Sequence, residues 1–238
     1  QDSSSAASDV YKRQIYTNQL LQKFFDLCKS NQIRLIIDET YKDFHPNASQ
    51  PHTLLENNNW DQVLTILYSF SKTYRMTGHR IGALLTSKEN LIEIEKALDT
   101  FTVCPPQLGQ YAANWGLNNL EAWAEDRRTE ILQRAKHFSE KFQPLSAAGW
   151  SLKGCGAYFA FVEHPFEDES NILAPLILRD QGILLMPGTM FYPKHNPLGS
   201  RSFRIAFANI DKNKISTLLE RLKDLSYQRP NSKNNMIN

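Results

Sequence analysis

Short apolar runs that end abruptly alternate with longer stretches whose apolar residues recur every three or four positions. Residues 16–30 carry Leu20, Leu21, Phe24, Phe25 and Leu27 on one broad stripe, which predicts a helix. Residues 33–38, IRLIID, then form an apolar run stopped by charge, the pattern of a strand covered on both faces in a parallel sheet. Residues 45–60, rich in Pro, Asn and His, predict a loop. Residues 63–68, VLTILY, and 81–85, IGALL, predict two more strands. Thr86 and Glu89 match a capping box ahead of Leu91, Ile92, Ile94 and Leu98 at helical spacing. Pro105 and Pro106 end that segment, and Pro106 suits the first position of another helix. A long helix is predicted over 120–142, its apolar face made by Trp123, Ile131, Leu132, Ala135 and Phe138. Gly149 and residues 154–156 mark a turn. Strands are predicted at 158–162, 183–186 and 203–207, and a helix at 172–179. Asp211 caps a final amphipathic helix bearing Ile215, Leu218, Leu219 and Leu222.

This order predicts an α/β class: residues 15–118 form the end of a mainly parallel α/β domain, and residues 119–227 a smaller α+β domain. Residues 228–238, dense in Asn and Ser, predict a disordered tail. Residues 3–8, SSSAAS, are low in complexity, and residues 9–14, DVYKRQ, read as a translated sequencing-adapter end. Residues 1–14 are therefore expected to be foreign to the fold, with the protein proper beginning near Ile15 and an N-terminal portion missing.

A net charge of +2, with basic and acidic residues intermixed, argues against a nucleic-acid partner. No apolar run reaches membrane-spanning length. Cys28, Cys104 and Cys155 are too few and too far apart for a disulfide framework or a zinc site, so no metal is expected and a reducing cytoplasm is the expected compartment.

Chemistry-bearing residues cluster just past predicted strand ends, where open α/β sheets place ligands. Residues 38–41, DETY, follow the first strand, and residues 69–82, SFSKTYRMTGHRIG, follow the second. Residues 202–209, SFRIAFAN, lie near the C-terminus. Taken singly, Asp38 reads as a turn residue, Lys72 as a solvated lysine and Tyr41 as a packing aromatic. Arg75 reads as a surface residue, His79 as structural and Cys155 as a small packing residue. The ordered set points elsewhere.

The segments resemble the class I/II aminotransferases of the fold-type I pyridoxal-phosphate family. The likeness rests on Asp38 and Tyr41, on Ser69, Ser71 and Lys72, and on Gly78, Arg80 and Gly82. It continues through GCGAYFAF at 154–161, Pro187-Gly188 with Phe191, and Arg204 in FRIAFA. It covers roughly residues 33–225. The resemblance implies pyridoxal phosphate as cofactor, held as a Schiff base by Lys72. Asp38 would keep the ring nitrogen protonated, Tyr41 would donate to the phenolate oxygen, and Ser69, Ser71 and Arg80 would hold the phosphate. Arg204, fixed within a strand, would take the substrate carboxylate in preference to Arg201 in the preceding loop. The implied reaction moves an amino group between an amino acid and a 2-keto acid by ping-pong chemistry, in amino-acid metabolism or biosynthesis, by a homodimer. The alternatives are a carbon–sulfur lyase or decarboxylase of the same fold type, or the sensor domain of a transcription regulator. The family's glycine-rich phosphate loop, ring-stacking aromatic and phenolate-side asparagine normally precede the DETY strand and are not seen here. The chain as given is accordingly expected to be an inactive fragment.

Overall fold

The computed structural model describes residues 16–46, 51–194 and 196–227. The two expected tails, 1–14 and 228–238, lie outside the described residues. The described chain divides into two compact units, one ending at Glu130 and the other starting at Ile131, each with its own core.

The first unit begins with helix α1 (Asn18–Ser30), capped by Thr17, whose hydroxyl accepts from Leu20 N at 3.3 Å. Leu21, Phe25 and Cys28 face the core, while Leu20 and Leu27 point to solvent, so the buried stripe is narrower than the predicted one. Strand β1 (Leu35–Asp38) pairs in parallel with β2 (Leu64–Ser69), and β2 pairs antiparallel with β3 (Gly82–Leu85). Leu35, Ile37, Leu54, Leu64 and Ile66 join Leu21 and Phe25 in the core. Burying one such side chain stabilises the fold by about 2 kcal/mol relative to exposure. The 45–60 segment contains a short 3-10 turn, Leu54–Glu56, and a second, Trp60–Gln62, begins at its end.

Helix α2 (Lys88–Phe101) is capped by Ser87, whose hydroxyl accepts from Asn90 N at 3.3 Å. Thr86, the expected cap, instead bonds Thr65 at 2.8 Å across to β2. The apolar face of α2 is not buried: Leu91, Ile92 and Leu98 are exposed. Pro106 is the cap of helix α3 (Gln107–Asn119), one position earlier than expected. Gly109 lets α3 lie against Ile81, because a Cβ there would overlap the Ile81 side chain. Helix α4 (Glu121–Lys141) crosses the division between the units, which falls later in the chain than the boundary expected after residue 118.

In the second unit, α5 (Gln143–Ala147) leads to a four-stranded antiparallel sheet in the order β4-β5-β7-β6. These strands are β4 (Ser151–Gly156), β5 (Phe159–Glu163), β6 (Met186–Pro187) and β7 (Ser202–Ala206). Residues 154–156, expected as a turn, end β4, whose pairing shifts between Leu152 and Gly154. The strand expected at 183–186 shrinks to β6, because only Met186 and Pro187 pair with β7. Ala160, Val162, Phe203 and Ile205 face the core with α6 (Ser170–Gln181) and α8 (Lys212–Lys223), and α7 (Pro197–Ser200) precedes β7. Asp211 caps α8 as expected, accepting from Lys214 N at 2.8 Å.

Candidate active site

Because β1 and β2 run in parallel and β3 returns antiparallel, the ends of β1 and β2 and the start of β3 share one sheet edge. Asp38 closes β1, and its Oδ1 accepts from Thr40 N at 2.9 Å, which fixes the direction of the carboxylate. Tyr41 follows in the same turn and is buried. Ser69 ends β2, and its hydroxyl accepts from Ser71 N at 3.3 Å. Lys72 comes next, its Nζ 5.7 Å from the centre of the Tyr41 ring. The chain returns at Arg80, which adopts a left-handed backbone (φ 55°) and donates from Nη1 to Thr77 O. Gly82 then enters β3, where a Cβ would lie 2.8 Å from Tyr68 O. Asp38, Tyr41, Ser69, Ser71, Lys72 and Arg80 thus lie at strand ends or in the turns beside them, at one end of one sheet.

Two interactions at this edge were not anticipated from sequence. The Asp43 carboxylate accepts from Tyr68 OH at 2.5 Å and Thr73 Oγ1 at 2.6 Å through Oδ2, while Lys42 Nζ meets Oδ1 at 2.8 Å. Burial works to raise the Asp43 pKa, but these partners outweigh it and hold the carboxyl below the usual carboxylate range. Burial and the neighbouring Asp43 charge push the Tyr68 phenol above its ordinary value. Glu39 and His52 are also buried, with Glu39 Oε1 and His52 Nε2 2.5 Å apart. Arg75 is exposed, 5.8 Å from the centre of the Trp123 ring.

Arg204 belongs to the second unit. It sits mid-strand on the face of the sheet opposite the core, with its guanidinium 4.2 Å from the Phe159 ring centre and 4.3 Å from that of Phe191. The two rings fix the plane of the fork. Its Nη2 also reaches Met186 Sδ at 2.9 Å. Arg201, the competing arginine, donates to the carbonyls of Phe166 and His164, so it holds a turn. Phe191 is carried by a Pro187-Gly188 turn in which a Cβ on Gly188 would lie 2.6 Å from Gly199 O. Among the described residues no group of His, Cys, Asp and Glu could hold a metal ion, and no helix is long and apolar enough to cross a membrane.

Known proteins share this sequence pattern and this fold. The family model for aminotransferase class I and II matches residues 14–222. The chain is 26% identical over 226 residues to the (5-formylfuran-3-yl)methyl phosphate transaminase of Methanocaldococcus jannaschii, covering 93% of this chain and 55% of that protein. It is 24% identical over 226 residues to the aspartate aminotransferase of Sulfolobus acidocaldarius, covering 87% and 52%. An aminotransferase structure from Staphylococcus aureus shares the fold at a TM-score of 0.79 and 21% identity, covering 94% of this chain and 57% of that one. The chain spans about half the length of the curated relatives it matches. From the matched residues and the shared fold together, the chain belongs to the class I and II aminotransferase family.

Proposed function

We propose that this chain carries the cofactor-linking part of a pyridoxal-phosphate-dependent aminotransferase that moves an amino group between an amino acid and a 2-keto acid. The observation that supports the reading is that the stretches bearing Asp38, Tyr41, Ser69, Ser71, Lys72 and Arg80 all lie at one end of one sheet, with Lys72 Nζ 5.7 Å from the Tyr41 ring centre. The donor set fits the group: a carboxylate of fixed direction, a phenol beside a lysine, and two hydroxyls with a guanidinium at the start of β3. When bound, pyridoxal phosphate supplies an electron sink for the pair left at the substrate's alpha carbon.

The residues then divide the work. The Asp38 carboxylate keeps the ring nitrogen protonated. Tyr41 OH donates to the phenolate oxygen. Ser69, Ser71 and Arg80 hold the phosphate. Lys72 Nζ would hold the cofactor and would move the alpha-carbon proton. Arg204 takes the substrate carboxylate in the plane of a fork that Phe159 and Phe191 hold still. The homodimer common to such enzymes is part of this reading, and exposed Leu108, Tyr111 and Trp115 on α3 offer an apolar face for it.

The test is to add pyridoxal phosphate, reduce with borohydride and map the labelled peptide. Label on Lys72, abolished in Lys72→Ala, is the expected result; label spread evenly over surface lysines would refute the assignment. Amino transfer is then read in the complete protein as acceptor-dependent keto-acid formation. Product formed without an acceptor would move the reading to a lyase or decarboxylase.

A further inference from the structure

None of the roles proposed above uses Asp43, yet its carboxylate joins the two turns that carry them. Asp43 lies in the 3-10 turn Lys42–Phe44, which Phe44 N ties to Tyr41 O at 3.0 Å and the buried Phe44 ring anchors below. From there Oδ2 reaches the other turn and accepts both Tyr68 OH on β2 and Thr73 Oγ1, the hydroxyl next in sequence to Lys72. Thr73 is 1% exposed, so its hydroxyl has exchanged water for this one carboxylate. Side chains of adjacent residues leave the backbone in different directions, so a Thr73 pinned inward sets the direction in which Lys72 leaves.

We propose that Asp43 and Thr73 are a positioning pair that fixes Lys72 against the 38–41 turn, with Tyr68 as a second strut on the same oxygen. The inference rests on the reading of Lys72 as the cofactor-linking residue. The Lys42 ammonium on Oδ1 and the depressed Asp43 carboxyl agree with it, since the carboxylate stays charged and accepting at neutral pH. Valine at 73 keeps the shape of threonine and removes the hydroxyl, leaving the buried Asp43 oxygen short of a donor. Serine keeps the hydroxyl and removes a methyl.

The experiment is trace acetylation of the cofactor-free 238-residue chain with acetic anhydride. The rate at Lys72 is read by mass spectrometry against Lys153, an exposed lysine of the second unit. In Thr73→Val the Lys72 rate should rise about tenfold, the change expected for losing one hydrogen bond to a charged acceptor. Thr73→Ser should restore it, and Tyr68→Phe should raise it less. A Lys72 rate unmoved in Thr73→Val, or moved equally by Ser and Val, would overturn the proposal. So would a fall in thermal midpoint with Lys72 reactivity unchanged, because that would assign the pair to stability alone. If the valine variant does not fold, Asp43→Asn takes its place, since its amide oxygen still accepts but without charge. An increase of about threefold is then expected, and none would overturn the idea. A parallel trapping with pyridoxal phosphate and borohydride separates the two levels. No preference for Lys72 in the unaltered chain would defeat the functional reading, while the acetylation result would still decide the positioning one.

Discussion

His164 follows β5 with 1% of its surface exposed, and its two ring nitrogens face opposite kinds of partner. Nδ1 accepts from Phe166 N at 3.3 Å, so the ring proton sits on Nε2, which donates to Ser200 O at 3.1 Å. A second proton on Nδ1 would turn it against an N–H donor inside a core of Trp150, Phe166 and Phe203. Burial is the main cause that lowers the His164 pKa from 6.5 to about 4, and the Arg201 charge adds to it; the Ser200 carbonyl and Glu163 work the other way. Between those values the unfolded chain binds the proton and the folded chain does not, so stability is complete above the unfolded value and falls as the pH drops towards the folded one. The displacement corresponds to about 3 kcal/mol, a large share of the 5–15 kcal/mol typical of a folded domain. Urea unfolding from about pH 7 to about pH 4.5, followed by the fluorescence of Trp150, measures it. Trp150 is the one tryptophan beyond residue 131, and its ring centre is 6.4 Å from that of His164. His164→Asn places an oxygen near the Nδ1 position and cannot titrate. This variant should be less stable at neutral pH yet lose much less of its stability on acidification. Equal pH slopes in the two proteins would refute the assignment to His164.

Two further perturbations act on the second unit. Gly188→Ala sets a methyl against Gly199 O at 2.6 Å and Ser202 O at 2.9 Å, backbone on both sides; a loss of about 3 kcal/mol or more in urea unfolding is expected, and a loss below about 1 would mean the turn can relax. Asp211→Ala removes the cap of α8 and should cost about 1 kcal/mol, with faster amide exchange in the first turn of α8 and none in β5.

The strands of the first unit were legible because their apolar runs are continuous and stop at charge or a turn residue. The cap of α8 was legible because an acceptor stands directly before a periodic apolar stripe. β4 was hidden by its glycines: Gly154 and Gly156 read as turn residues, while neighbour pairing with β5 keeps them extended. The apolar stripe of α2 was read correctly as periodic, but periodicity says nothing about whether a partner surface is present within the same chain, and here Leu91, Ile92 and Leu98 stay exposed. At the candidate site, the ordered motifs led to Asp38, Lys72 and Arg204. Asp43 was invisible because an acid beside Lys42 reads as a solvated pair, and its decisive partners, Tyr68 and Thr73, are distant in sequence and come near only through the parallel pairing of β1 and β2. The role of Arg201 as a turn clamp likewise needs the fold, since its acceptors are backbone carbonyls that no residue type announces.

Phe70 N donates to Ile81 O at 3.2 Å, so the segment bearing Lys72 leaves and re-enters the sheet at one point. Such a segment is a loop tied at its base. The knot at the base sets the bight apart from the register of β2 on β3, while Thr73 and Asp43 hold the bight from within. Lys72 therefore sits on a stretch that the pairing of β2 with β3 frames at its base.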